Sequence, residues 1–220
     1  MMDFEQILKF LGTLSRNNNR EWFEKNKDKY LYAKDNFEEF VGKYLDELIK
    51  FNPSLAGLNY KKLPFRIYRD VRFSKDKSPY KINMGAGISP GGKMMQEPGY
   101  YVHVEPGRCF VAGGMYMPDP PNLSKIRQEI DYNGDKLQKI LASKSFKKWF
   151  KGFDDFDRLK TVPKGYAKDH PRLSWLQNKS FISSHYFTDK EVKDKQFLKK
   201  LVEASKAIKP LNDFLIEAME

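Results

Sequence analysis

The 220-residue chain has one cysteine, three histidines and no apolar run near the roughly 18 residues that span a bilayer. A single cysteine, Cys109, excludes an internal disulfide and a thiolate metal cluster, and its apolar neighbours predict a small buried side chain. Residues 1–6 carry two acids instead of the basic start of a signal peptide. We therefore expect a cytoplasmic protein with no membrane partner.

Aromatic and other apolar residues are nevertheless abundant enough for a folded protein. Apolar residues make up 40% of the chain and include the aromatic residues, which alone make up 15%, although the mean hydropathy is -0.70. The chain is long enough for one sizeable core, and it shows no internal repeat, low-complexity segment or clear linker. We predict a single domain over residues 1–220.

Hydrophobic periodicity predicts helices at both ends of the chain and strands between them. The expected class is α+β, with an antiparallel β-meander of about four to five strands flanked by N-terminal and C-terminal helices. Asn19 is a suitable N-cap, and Thr188 with Glu191 forms a capping box. The predicted helices cover residues 4–14, 20–50, 123–130, 137–150, 173–177 and 188 to the end, with a bend or break at Pro210, and the predicted strands cover 65–73, 82–88, 100–105, 108–117 and 181–187.

Positive charge is concentrated between Lys61 and Lys81. This segment contains eight of the forty basic residues and two of the twenty-nine acids. The protein as a whole carries a formal charge of +11. Apolar and polar residues alternate between Phe65 and Phe73, a pattern typical of a strand with one buried face. Residues 73–81 contain turn formers, hydroxyls and ammonium groups, so we predict a loop after that strand.

This basic stretch is the candidate ligand-binding site. On the polar face of the predicted strand, Asp70 would orient Arg66 and Arg72 for bidentate capture of a phosphate or carboxylate, or merely neutralise them on a solvated face. Arg69 falls among the apolar positions, so it is either a buried ion-pair anchor or a ligand contact. The predicted ligand-binding residues are Arg66, Arg69, Arg72, Ser74, Lys75, Lys77 and Lys81.

Candidate catalytic groups are Asp70, His103 and Glu105. His103 and Glu105 share one face of the predicted strand 100–105, and Asp70 would face them if the strand faces align. Such groups supply the acid, the base and the arginine-stabilised charge of phosphoryl or acyl transfer; the alternative for His103 is a structural hydrogen bond. His170 or His185 would complete a metal site with His103 and Glu105 only from distant positions, so we predict no metal and no cofactor.

Four strings in this sequence carry a resemblance to a known family. They are N-N-x-R-E-W-F at residues 17–23, R-I-Y-R-D-V-R-F-S-K-D-K-S-P-Y-K at 66–81, P-G-Y-Y-V-H-V-E-P-G at 98–107 and P-K-G-Y-A-K-D-H-P at 163–171. The chain resembles a largely bacterial, also fungal, family known only as a domain of unknown function. The resemblance implies a single full-length domain and brings no activity, substrate or catalytic residue with it.

Three interpretations of the basic stretch stay open at this point. The first is an enzyme or sensor that binds a small phosphorylated or other anionic ligand. The second is a nucleic-acid-binding module in which Tyr68, Tyr80 or Tyr101 stacks on bases while the cations contact phosphates. The third is a non-catalytic scaffold whose arginines are all paired internally. We favour the small anionic ligand, and whether the protein is an enzyme is left undecided.

Overall fold

A computed structural model describes residues 3–93, 96–155 and 157–220 of the chain. Met1 and Met2, the first residues of the acidic N-terminal segment discussed above, lie outside this range. The described residues form eight α-helices and four strands, and this confirms the predicted α+β class. The helices are α1 (Phe4–Arg16), α2 (Arg20–Lys25), α3 (Lys27–Ile49), α4 (Pro120–Ala142), α5 (Lys144–Trp149), α6 (Leu173–Leu176), α7 (Asp189–Lys193) and α8 (Phe197–Met219).

The four strands form one antiparallel sheet in the order β1-β2-β3-β4, so every strand pairs with its neighbour in sequence. The predicted meander is therefore confirmed. Its strands are β1 (Met84–Ile88), β2 (Gly99–Val104), β3 (Cys109–Met115) and β4 (Phe181–Phe187). In β2, buried Tyr100, Val102 and Val104 alternate with half-buried side chains, as its period of two predicts.

The strand predicted for residues 65–73 does not form. Its backbone makes only isolated antiparallel bridges, Pro64 with Ala86 and Tyr68 with Tyr80. Pro64 has no N–H to donate to a ladder, and beyond Tyr68 the chain turns into a loop that is held by side-chain hydrogen bonds. The alternation of apolar and polar residues is real, but it belongs to an irregular hairpin.

Helix boundaries also differ from the prediction. The helix expected over residues 20–50 is two helices, because Asn26 leaves helical geometry (φ -116°, ψ 21°). The prediction placed two helices over residues 123–130 and 137–150. In the structure, α4 runs from residue 120 to 142 with a kink at Asn133, and α5 follows it. Helix α8 continues across Pro210, and the C-terminal break lies instead between Lys193 and Phe197. The predicted caps at Asn19 and at Thr188 with Glu191 are confirmed.

The chain divides into two compact units, and the first comprises Met1–Lys93, Tyr101–Val111 and Tyr186–Val202. Aromatic rings dominate its core: Phe4 packs edge to face on Phe40 and Phe197 with centroids 4.8 and 5.2 Å away. Cys109 is fully buried here, and burial raises the pKa of its thiol to about 11. Cys109 is thus the small buried side chain that the sequence predicts.

The second unit comprises Met94–Tyr100, Ala112–His185 and Glu203–Glu220. Its buried side chains include Ile126, Ile130, Phe146, Phe181 and Phe214. That the whole chain behaves as one domain stays a prediction. None of the helices among the described residues combines the length and apolar character needed to cross a bilayer.

Candidate functional site

The basic stretch folds into a hairpin, which we call the basic hairpin (residues 64–81). Its two arms are joined by backbone hydrogen bonds from Arg69 N to Pro79 O (2.9 Å) and from Lys81 N to Ile67 O (2.7 Å). The ring of Tyr80 in the second arm stacks on Phe23 of α2, with centroids 3.9 Å apart. Between the arms lies the tip loop (residues 70–78).

Arg69 is bonded within the basic hairpin. Its guanidinium forms an ion pair with Asp76, donates to the carbonyl of Ser78 (3.1 Å) and lies 3.4 Å from Ser74 Oγ. Hydrogen bonds from Ser78, followed by the one from Arg69, lower the pKa of Asp76 to about 2. The structure thus gives Arg69 the internal ion pair that was one of its two sequence-based interpretations.

Arg72 and Asp70 form a second pair on the surface of the tip loop. Arg72 Nε and Nη2 donate to the two carboxylate oxygens at 3.0 and 2.7 Å, and these bonds lower the pKa of Asp70. Within the described residues, no hydrogen bond or ion pair joins Asp70 to His103 or Glu105. Two further predicted binding residues are used inside the loop, since Lys77 Nζ donates to Val71 O (3.0 Å) and Ser74 faces Arg69.

Three cations, Arg66, Lys81 and Lys93, form what we call the cation cluster. The ammonium groups of Lys81 and Lys93 lie 5.5 and 5.7 Å from the centroid of the Phe65 ring. Burial and then the charges of Arg66 and Lys93 lower the pKa of Lys81. Within the described residues none of the three forms an ion pair with a carboxylate, although the charge of Arg66 also helps to lower the pKa of Asp70. Lys93 Nζ donates to Pro64 O at 2.8 Å.

A hydrogen-bonded chain, Tyr101–His103–Glu105, runs along the outward face of β2 to Glu105, the residue that follows the strand. His103 Nε2 lies 2.9 Å from Glu105 Oε2 and His103 Nδ1 lies 2.9 Å from Tyr101 Oη. Because a carboxylate can only accept, Nε2 carries the proton and Nδ1 accepts from the Tyr101 hydroxyl. Burial lowers the pKa of His103 despite Glu105, and burial raises the pKa of Tyr101 to about 12.

Neighbouring residues fix this chain in place. The His103 ring stacks on Phe110 of β3 with centroids 4.6 Å apart, and Asn83 Nδ2 lies 3.5 Å from His103 Nδ1. The Phe65 ring, which contacts the cation cluster, packs edge to face on Tyr101 at 6.2 Å. Phe65 therefore connects the cation cluster to the Tyr101–His103–Glu105 chain, and we define the candidate site as these two groups together.

Sequence reasoning did not assign Lys93 to a site, and it named Tyr101 only as a base-stacking residue of the nucleic-acid alternative. Lys93 follows the glycines after β1, and only the return of the chain to Pro64 brings it to Phe65. Tyr101 lies on the same face of β2 as His103, so the two-residue spacing Tyr-x-His-x-Glu was a signal that was present in the sequence. Four of the residues predicted from the sequence belong to the candidate site as the structure defines it. They are Arg66, Lys81, His103 and Glu105.

The other two histidines have their own contacts. His170 Nε2 lies 2.9 Å from Asp131 Oδ1, and His185 Nδ1 lies 2.8 Å from the carbonyl oxygen of Trp149. Across the described ranges, no group of three or more His, Cys, Asp or Glu side chains is arranged to hold a metal ion.

A groove of about 370 Å³ lies elsewhere, between α1, α2 and α3. Its walls include Phe10, Trp22 and Tyr32, together with Lys9 and Lys29. The residues described along this groove include no histidine, and Lys29 is bonded to Asn26 (2.9 Å). We therefore place the candidate site at the sheet face, where cations without an ion-pair partner among the described residues adjoin a hydrogen-bonded chain.

Fold and site together define an α+β protein with a β-meander and a cationic, histidine-containing sheet face. The chain belongs to the family described as "Conserved hypothetical protein (DUF2461)", which it matches over residues 6–214. This match confirms the resemblance to a family of unknown function. Comparisons with curated proteins and with solved structures found no match.

Proposed function

We propose that the protein binds a small phosphorylated or other anionic ligand at the cation cluster of Arg66, Lys81 and Lys93. The observation that carries this proposal is the convergence of three cations, none of which forms an ion pair with a carboxylate within the described residues. Like charges brought together repel one another, and partial burial of Lys81 adds a desolvation cost. A bound anion would relieve both effects, since charge-assisted hydrogen bonds to phosphate are among the strong ones in proteins.

The Tyr101–His103–Glu105 chain would allow the site to process as well as bind its ligand. Glu105 would hold the His103 ring and stabilise its charged form, while Nδ1 would receive the proton of the Tyr101 hydroxyl. The phenol lies beside Phe65 and hence next to the cation cluster. In this proposal His103 is the candidate general base, Tyr101 the group that passes on its proton, and Glu105 a positioning residue.

Thermal-shift and calorimetric titration with inorganic phosphate, sugar phosphates and nucleotides test the binding proposal. A ligand present at 100 times its Kd stabilises the folded protein by about 2.7 kcal/mol. Lys81→Met should weaken binding about tenfold or more, because it removes one charged donor. Lys61→Met is the matched control, since the Lys61 ammonium also lies over an aromatic ring, 6.0 Å from the Tyr60 centroid.

Salt separates the small ligand from the nucleic-acid alternative. A small anion held by the cation cluster should stabilise the protein at both about 50 and about 200 mM salt, whereas backbone binding by several phosphates loses orders of magnitude over that range. Equal weakening by Lys61→Met and Lys81→Met would contradict the proposal. If no small anion shifts the melting temperature, the scaffold interpretation replaces it.

A further inference from the structure

The tip loop of the basic hairpin presents a phenylalanine to solvent. The Phe73 side chain is 96% exposed, the highest value among the exposed large hydrophobic residues, and Tyr68 at the base of the loop is 48% exposed. A lone exposed apolar side chain is common on protein surfaces and says little by itself. Phe73 differs because of how its loop is held and which charges surround it.

Hydrogen bonds within the loop fix its shape. Asp76 accepts from the backbone N–H and the hydroxyl of Ser78 at 2.9 and 2.6 Å, in addition to its ion pair with Arg69. The ammonium group of Lys77 closes the other side through Val71 O (3.0 Å). An aromatic ring on a loop that is already ordered loses little conformational entropy on binding.

The charges of the loop are not balanced. Its two acids are both used internally, since Asp76 pairs with Arg69 and Asp70 pairs with Arg72. Lys75 and Lys77 have no carboxylate partner among the residues that the structure describes, and both are exposed. The guanidinium carbon of Arg72 lies 5.8 Å from the Phe73 ring centroid, so a cation borders the ring itself.

We propose that the tip loop is a binding surface for single-stranded nucleic acid. The Phe73 ring stacks on one base, and Lys75 and Lys77 contact the phosphates beside it. Exposed aromatic rings interleaved with cations are the recurring features of proteins that bind single strands with little sequence preference. A duplex keeps its bases stacked inside, so it offers this ring no free base face.

The same charges would attract an anionic membrane, but the loop lacks the apolar area that stable insertion requires. Within the described tip loop, Phe73 is the one large apolar side chain that is exposed. One such side chain gives marginal membrane binding. The surface also uses none of Arg66, Lys81 and Lys93, so the proposal is independent of the small-ligand site.

Fluorescence anisotropy of the full chain with a labelled oligothymidylate, and with a duplex of mixed sequence, tests the proposal. Phe73→Ala should weaken single-strand binding about 5- to 150-fold, the range expected when one base loses its stacking partner. Tyr132→Ala is the matched control, because Tyr132 is another exposed aromatic (72%) and lies on α4. The control should bind as wild type does.

A second pair of variants tests the role of the two lysines at the phosphates. Lys75→Ala with Lys77→Ala should lower the log-log salt slope by about 0.7 for each phosphate that the protein no longer neutralises. Lys164→Ala with Lys168→Ala, two exposed lysines in another loop, should leave the slope unchanged. Melting temperatures of all variants verify that each is folded.

Several results would overturn the proposal. One is a lack of single-strand binding, and another is equal affinity of the Phe73 and Tyr132 variants. Binding of the duplex as tightly as the single strand would show that the loop binds phosphates through its charge and that Phe73 does not stack on a base. Binding only to vesicles of phosphatidylserine and phosphatidylcholine would assign the loop to a membrane surface instead.

Discussion

The side-chain amide of Asn18 is hydrogen-bonded to both backbone polar groups of Tyr80. Asn18 Nδ2 donates to the Tyr80 carbonyl at 2.9 Å, and Asn18 Oδ1 accepts from the Tyr80 N–H at 3.1 Å. Two strings of the sequence, N-N-x-R-E-W-F and S-P-Y-K, are therefore joined although 62 positions separate the two residues. Asn19 serves as a helix cap. Asn18 instead fixes the second arm of the basic hairpin at Tyr80, the residue before Lys81.

Asn18→Ala should lower the free energy of unfolding by about 1–3 kcal/mol. The substitution leaves two backbone groups of the buried Tyr80 without partners, and such groups cost more than the bonds themselves contribute. Denaturant unfolding measures the decrease. Asn17→Ala is the control, since Asn17 Nδ2 donates to one carbonyl in the part of the chain that the structure describes, Thr13 O (3.0 Å), and its removal should cost about 1 kcal/mol or less. Equal decreases would argue against the special position of Asn18.

Arg69→Ala should open the tip loop, whereas Arg72→Ala should not. Arg69 bonds three groups that lie across the loop, while the Arg72 side chain bonds, among the described residues, only Asp70, two positions away on the surface. Chymotrypsin cleavage after Phe73 measures the opening, and Arg69→Ala should accelerate it about tenfold or more. Similar cleavage rates in the two variants would mean that the Arg69 bonds do not hold the loop.

Gly85→Ala should be destabilising through its contact with Tyr101. A Cβ atom at Gly85 would lie 2.9 Å from Tyr101 Cζ and still closer to the hydroxyl, so the ring or the strand must move. Overpacking of this kind costs about 1–3 kcal/mol. Adding Tyr101→Phe should recover part of the stability, since it removes the nearest atom, and a double-mutant cycle measures this coupling.

Gly12→Ala provides the control for the glycine substitution. The nearest atom outside its own helix is Pro106 Cγ at 3.8 Å, an ordinary contact, so alanine should stabilise α1 by about 0.5–1 kcal/mol. If Gly85→Ala proved as harmless as Gly12→Ala, the position of the Tyr101 hydroxyl above β1 would be wrong.

Stability should fall on acidification because of His103. Its folded-state pKa lies below the usual value near 6.5, so the unfolded chain binds the proton more readily. The stability that neutral His103 contributes to the folded protein is fully present above about pH 6.5 and is lost as the pH falls through its folded-state pKa. The groups that face the ring are Tyr101, Glu105, Asn83 and Phe110, and the charge of Arg108 also lowers the pKa.

Melting temperatures at about pH 7.5 and 5.5, on either side of that value, test this prediction. The wild type should lose more stability between them than His103→Gln, in which the titrating ring is absent. A wild type that gains stability on acidification relative to the variant would show that Glu105 outweighs burial and raises the pKa.

Local sequence patterns determined much of the fold. The alternation over residues 100–105 placed Tyr101, His103 and Glu105 on one face. Capping residues such as Asn19 and Thr188 marked helix starts, because their bonds reach only three positions along the chain. The 65–73 segment shows where this local logic ends. Its alternation resembled a strand, yet whether a strand forms depends on which distant backbone lies beside it.

The sequence by itself also determined that positive charge is concentrated between Lys61 and Lys81. Only the tertiary structure decided which of those cations are neutralised. Arg69 and Arg72 meet Asp76 and Asp70, whereas Lys81 meets Arg66 and Lys93, the last of which lies beyond β1 in the chain. Electrostatic interaction depends on distance in space and on burial, and neither is encoded in spacing along the chain.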